Sequence, residues 1–186
     1  MRNVSFAALV LILAGAPLLA QAPGQIQPPS ATGENPKPDL PNYVEVTPSI
    51  GTGGQPTDAG LRLLAERGYK SVINLRTSQE KVDLAAEEKN ARELGLKYYS
   101  VPVVGANPEE KQALEFMKVL EEQQGGKVFV HCATGNRVGA FMMIYRTLRD
   151  GLSLEKAEEE ARRIGLRSDA LLNFARQFIA RRTNPQ

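Results

Sequence analysis

Short apolar runs of strand length alternate with segments of helical periodicity through most of this chain, and few folds admit that alternation. Tyr43 to Val46, Ser71 to Leu75, Lys97 to Val101 and Lys127 to Val130 read as strands. Helices are predicted between and after them. One follows the capping pair Thr57-Asp58 through Leu61, Leu64 and Ala65, stopping at Gly68. A polar one runs from about Lys81 to Leu94, and a third runs from Pro108 through Leu114, Met117, Val119 and Leu120. Three more cover Val138 to Leu148, Ser153 to Ile164 and Ser168 to Arg181. Gly51-Thr52-Gly53-Gly54-Gln55-Pro56 reads as a loop by composition. Strands separated by helices imply βαβ units, hence an α/β fold with a mainly parallel central sheet flanked by helices and a helical C-terminus. In such sheets ligands sit outside the carboxyl ends of the strands.

The ends of the 186-residue chain set the domain limits. Met1-Arg2-Asn3 is a short basic start, Val4 to Ala20 is apolar or small, and small residues surround Gln21. That reads as a signal peptide over 1–22, and so as an exported, periplasmic or otherwise extracytoplasmic protein. The apolar run is at the short edge of the ~20 residues that span a bilayer, so membrane association is expected only if the segment is retained. A flexible Pro/Gly-rich linker is expected over 23–41 and one folded domain over 42–183. Lys and Arg total 23 against 21 Asp and Glu, a balance that disfavours nucleic acid as a partner. There is one Cys and one His, and they are adjacent. No intrachain disulfide can form, no Cys/His metal site is expected, and no cofactor is implied.

Those two residues open the segment His131-Cys132-Ala133-Thr134-Gly135-Asn136-Arg137-Val138, just past an apolar strand and leading into a helix. The N–H groups of a helix N-terminus lack intrahelical partners and carry partial positive charge, so a tight turn into one makes an anion cradle. Gly135 permits such a turn. Arg137 can offer a planar fork to an oxyanion. The same environment favours the thiolate at Cys132, the nucleophilic form. A buried structural cysteine is the bland alternative. It is weakened by the coincidence of strand, Gly, Arg and helix around Cys132. His131, as the last strand residue, is expected to orient the loop or sit in the core.

At these residues the chain resembles the cysteine-dependent phosphatases of the tyrosine and dual-specificity type, whose loop reads His-Cys-x5-Arg-Ser/Thr. Val72-Ile73-Asn74-Leu75-Arg76, Tyr98-Tyr99-Ser100-Val101-Pro102-Val103 and Leu152-Ser153-Leu154-Glu155-Lys156-Ala157 extend the resemblance over about residues 43 to 180. The bacterial beta-lactamase hydrolase-like group, with its phosphatase-like domain, is similar at Gly54-Gln55-Pro56-Thr57 and at Cys132 to Arg137. The resemblance implies a phosphorylated substrate, protein or small molecule, attacked by Cys132 and held by the loop N–H groups and Arg137. Arg76 and Gln55 are lesser site candidates.

Three departures qualify it. The loop is Cys-x4-Arg, one residue short, as in sulfur-transferring rhodaneses. Val138 stands where the phosphatases carry a hydroxyl. Val103 to Asn107 holds no Asp where their general acid is expected, which leaves Glu109, Glu110, Glu80 and Asp83 as the nearest carboxylates. Rhodaneses are expected to add a strand soon after the active-site helix, whereas this chain adds two helices, as the resemblance to dual-specificity phosphatases implies. Phosphoester hydrolysis through a phosphocysteine is therefore the leading expectation. A Cys132 persulfide in sulfur transfer and a catalytically weak phosphate-binding module are the alternatives.

Overall fold

The computed structural model describes residues 38–183 apart from residue 124. The signal peptide and the linker as far as residue 37 lie outside the described residues. Five strands, β1 (Val44–Thr47), β2 (Ile50–Gly53), β3 (Tyr69–Asn74), β4 (Lys97–Ser100) and β5 (Lys127–His131), form one sheet in the order β1-β2-β5-β3-β4. β2, β5, β3 and β4 run parallel, and β1 pairs antiparallel with β2 at the edge, so the sheet is mixed but mainly parallel.

Helices α1 (Asp58–Glu66) and α2 (Leu84–Glu93) cover one face; α3 (Glu110–Glu122), α4 (Asn136–Leu148), α5 (Leu154–Ile164) and α6 (Asp169–Thr183) cover the other. The pleat sorts neighbouring side chains between the two layers. Val72 and Phe129 join Leu61, Leu64 and Ala91 on the α1/α2 side, whereas Ile73, Val128 and Val130 join Phe116, Phe141 and Phe178 on the other. α4 is enclosed by β-sheet, α3, α5 and α6, and every residue from Arg137 to Tyr145 is buried. The helix that leaves the cysteine loop is thus the axis of the larger core.

Two sequence expectations need correction. The Gly51–Gly53 stretch is no loop: it belongs to β2, the strand that pairs β5. It is a strand through its pairing with β1 and β5, and glycine is needed at these positions because aromatic rings lie on them. A Cβ at Gly51 would meet the Tyr69 hydroxyl at 2.2 Å, and one at Gly53 would meet the Phe129 ring at 3.0 Å. Second, α4 begins at Asn136 rather than Val138, which puts Arg137 in its first turn. Residues just before 42 hydrogen-bond to the domain. Asp39 O accepts from Thr57 N at 3.0 Å, and Pro41 O accepts from Gly54 N at 2.7 Å.

Helix ends follow ordinary capping chemistry. Thr57, Asp83 and Ser153 accept from the N–H groups of Gly60, Ala86 and Lys156. On α5, Glu158 pairs with Arg162 four residues on at 2.8 Å and also with Arg176 of α6, and Arg163 pairs with Glu160 at 3.8 Å.

Candidate active site

β5 delivers His131 to the carboxyl edge of the sheet, and the chain then turns through Cys132 to Gly135 into α4. Gly135 holds φ at +89°, a left-handed conformation that a side chain resists, and its N–H donates to Sγ of Cys132 at 3.2 Å. The turn is braced from both sides. On the β2 side, Ala133 O accepts from Gln55 N at 3.2 Å and Thr134 O from Asn42 Nδ2 at 3.1 Å. On the α5–α6 side, Asn136 Oδ1 accepts from the N–H groups of Arg167 and Ser168, at 2.9 and 3.2 Å. A Cβ on Gly135 would come within 2.4 Å of Ile164 O. Cys132 itself is buried at the base of an open cleft of about 520 Å³ whose walls include Thr77, Glu80, Val104, Ala106, Thr134 and Leu171.

Arg137 faces the same cleft but is already engaged. Its NH1 donates to Leu75 O at 3.1 Å, Val103 O at 2.8 Å and Glu80 Oε1 at 2.6 Å, and NH2 donates to Glu80 Oε2 at 2.9 Å. The guanidinium therefore joins the ends of β3 and β4 to the loop before any ligand binds. Burial works against its charge, while Glu80 and the Cys132 sulfur favour it and keep its pKa above the ordinary value. Hydrogen bonds from Arg137 hold the Glu80 carboxyl down to about 2, against the opposing effect of burial and with help from Thr77 N and Arg76. Glu80 is thus an ionised clamp and has no proton to give a leaving group.

The remaining candidates fall into place around this centre. Arg76 donates through Nε to Glu80 Oε2 and through NH1 to Gln55 Oε1, both at 2.8 Å, so both sequence candidates lie in one polar chain beside the cleft. Glu109 and Glu110 do not reach the cleft. Glu109 caps α3 and pairs with Lys111 at 2.8 Å, and Glu110 pairs with Arg181 at 2.7 Å and Arg182 at 3.2 Å. Asp83 caps α2. Val138 is wholly buried in the larger core and supplies no hydroxyl; Thr134, at the loop tip, is exposed. No group of three His, Cys, Asp or Glu side chains suited to a metal ion occurs among the described residues.

One residue escaped the sequence reading. Glu87 on α2 is 6% exposed, and its Oε1 lies 2.7 Å from Nε2 of the fully buried His131. The pair does not meet hydrogen-bond geometry, so the contact is a close approach of the two buried side chains. Burial pushes the Glu87 carboxyl up, but contact with His131, donation from Gln55 and the charge of Arg76 outweigh it and hold the pKa below the usual value. The available signal was a carboxylate on the stripe Leu84-Glu87-Ala91-Leu94, which helical spacing turns inward.

Comparison with known proteins identifies the family and the fold. The family model described as "DSP-PTPase phosphatase fused to NAD+ Kinase" matches residues 38–179. A beta-lactamase hydrolase-like protein of Xylella fastidiosa (strain Temecula1) is 34% identical over 105 residues, which cover 55% of this chain and 23% of that protein. One from Agrobacterium fabrum is 31% identical over 97 residues, covering 50% and 22%. The match therefore spans about a quarter of the length of these curated relatives. Among solved structures, a DUF442 protein from Shewanella putrefaciens CN-32 aligns with a TM-score of 0.67 at 23% identity, covering 76% of this chain and 93% of that one. The core catalytic domain of the PP-IP phosphatase SIW14 from S. cerevisiae aligns with a TM-score of 0.66 at 20% identity, covering 77% and 90%. At these identities the structural likeness concerns the fold.

Proposed function

This chain belongs to the dual-specificity-type (DSP-PTPase) phosphatase family, and on that premise we propose that it hydrolyses phosphate monoesters through a phosphocysteine on Cys132. The observation that carries the reading is the Gly135 N–H on the Cys132 sulfur at 3.2 Å, beneath a cleft that also holds the Arg137 guanidinium. Sγ attacks phosphorus, an S–P bond forms, and the P–O bond to the leaving group breaks. Loop N–H groups and the Arg137 guanidinium stabilise the equatorial oxygens. Water then attacks phosphorus, releasing phosphate and regenerating the thiolate.

The carboxylates near the cleft offer no general acid, because Glu80 is ionised and Glu109 and Glu110 are turned elsewhere. A missing acid costs on the order of 10²–10⁴ in rate. The substrates are accordingly phosphate esters whose leaving group departs without protonation. In line with its N-terminal sequence, we take the protein to act outside the cytoplasm.

A second reading has its own support. Transfer of sulfane sulfur needs neither general acid nor neighbouring hydroxyl, and Val138 is buried and apolar. Attack of Cys132 on thiosulfate would form a persulfide and expel sulfite; a thiophilic acceptor would then take the outer sulfur. The full chain, kept reduced, should be assayed in parallel for aryl-phosphate hydrolysis and for thiocyanate formation from thiosulfate and cyanide, with Cys132→Ser as control. Phosphate release lost in the variant supports the proposal. Thiocyanate without phosphate release replaces it with sulfur transfer. Silence in both assays removes both readings in favour of anion binding alone.

A further inference from the structure

The polar chain beside the cleft does not end at Arg76. Gln55 accepts from Arg76 through Oε1, and its Nε2 donates to Glu87 Oε2 at 2.8 Å, while Glu87 Oε1 meets His131. An unbroken series of contacts therefore runs from Arg137 on α4 through Glu80, Arg76, Gln55 and Glu87 to His131, the residue before Cys132. It approaches the nucleophile from both sides in the sequence.

Stability alone accounts poorly for the far end of this series. A carboxylate 6% exposed against an imidazole 0% exposed carries a desolvation cost that well-packed apolar residues would avoid. His131 Nδ1 finds no hydrogen-bond partner among the described residues. The ring is held by its Glu87 contact at Nε2 and by stacking on Phe129, with centroids 5.9 Å apart and planes 13° apart. Glu87 on one edge and Phe129 on one face thus fix how the ring lies.

We propose that Glu87 is a positioning residue for Cys132, acting through His131. The paired carboxylate and imidazole form a buried dipole with its positive end on the residue covalently joined to the nucleophile. Gln55 fixes the carboxylate by its second oxygen. The other charged or titratable groups facing the pair are Arg76 and Tyr98, and those facing the thiol are Arg137 and Glu80. None of them takes over the contact at Nε2.

The sign of one measurement separates this role from its competitors. The full chain, reduced, is alkylated with iodoacetamide across a pH series, and the midpoint of the rate profile is compared between wild type and Glu87→Gln. Alkylation reports the thiol directly, so the outcome is independent of whether phosphate or sulfur is transferred. Loss of the dipole should move the midpoint up by about one unit and slow alkylation about tenfold below it. In a His131→Asn background the same substitution should have no further effect. An unchanged midpoint would reduce Glu87 to a structural role, and a downward shift would make it a bare charge acting across space; either overturns the proposal, as does an equal upward shift without His131. If Glu87→Gln does not fold, Glu87→Asp carries the test, because it keeps the charge and withdraws it from the ring. An upward shift supports the proposal; no shift or a downward one overturns it.

Discussion

Glu80→Gln should weaken the fold at neutral pH and lose most of its effect in acid. The Glu80 carboxylate accepts from Arg137 NH1 and NH2, Arg76 Nε and Thr77 N, at 2.6 to 2.9 Å. Its pKa falls from 4.5 to about 2 on folding. At about 1.4 kcal/mol per unit, that displacement caps its contribution at roughly 3 kcal/mol. The side chain is 24% exposed at the mouth of the cleft, however, and solvent screening lowers the figure to roughly 1–2 kcal/mol. Because the folded pKa is the lower one, the stabilisation is complete above pH 4.5 and is lost as pH falls towards 2. At pH 3 about two fifths of it should remain. Urea unfolding of both proteins from pH 6 to pH 3 measures the gap, with the other carboxylates cancelling in the difference. A gap that is absent at pH 6, or that does not narrow by pH 3, would refute the clamp.

The packing around the loop gives three further expectations. Gly135→Ala forces a side chain into φ +89° and onto Ile164 O, and should cost roughly 2–4 kcal/mol in urea unfolding; a loss below ~0.5 kcal/mol would show that the turn relaxes freely. Gly51→Ala should cost about 2–3 kcal/mol, partly restored by Tyr69→Phe, because the first atom its Cβ meets is the Tyr69 hydroxyl; additive effects in the double variant would deny the contact. Val138→Thr puts a hydroxyl into the larger core at about 1–2 kcal/mol. If that hydroxyl finds the thiol, breakdown of the phosphocysteine speeds up and the pre-steady-state burst shrinks; an unchanged burst places it elsewhere.

How much of this was legible in the sequence depended on whether a residue's role was local. The run from Lys127 to Leu148 carries strand, turn and helix in its own spacing, because each depends on neighbours within a few residues. β2 was not legible. Ile50-Gly51-Thr52-Gly53 has the composition of a loop; it is a strand through pairing with β1 and the distant β5, and the rings of Tyr43, Tyr69 and Phe129 account for its glycines. The carboxylates divide the same way: a helix first turn was readable for Glu109 and Glu110, their partners were not. Glu109 and Glu110 were the near choices by chain distance, yet Arg181 and Arg182 of the last helix claim Glu110. Glu87 looks like one more charge on a polar helix until α2 docks and brings it against His131.

Arg137 supports two different needs, and this bears on how such a protein can decay. Besides facing the cleft, it caps the carbonyls of Leu75 and Val103, so its loss would open the carboxyl edge of the sheet whether or not any reaction takes place there. Selection for folding alone would preserve it. A descendant that had given up catalysis would still carry the arginine, while its thiol would be free to drift. Among relatives that share this edge, the arginine is therefore a poor witness to activity, and the cysteine is the residue to consult.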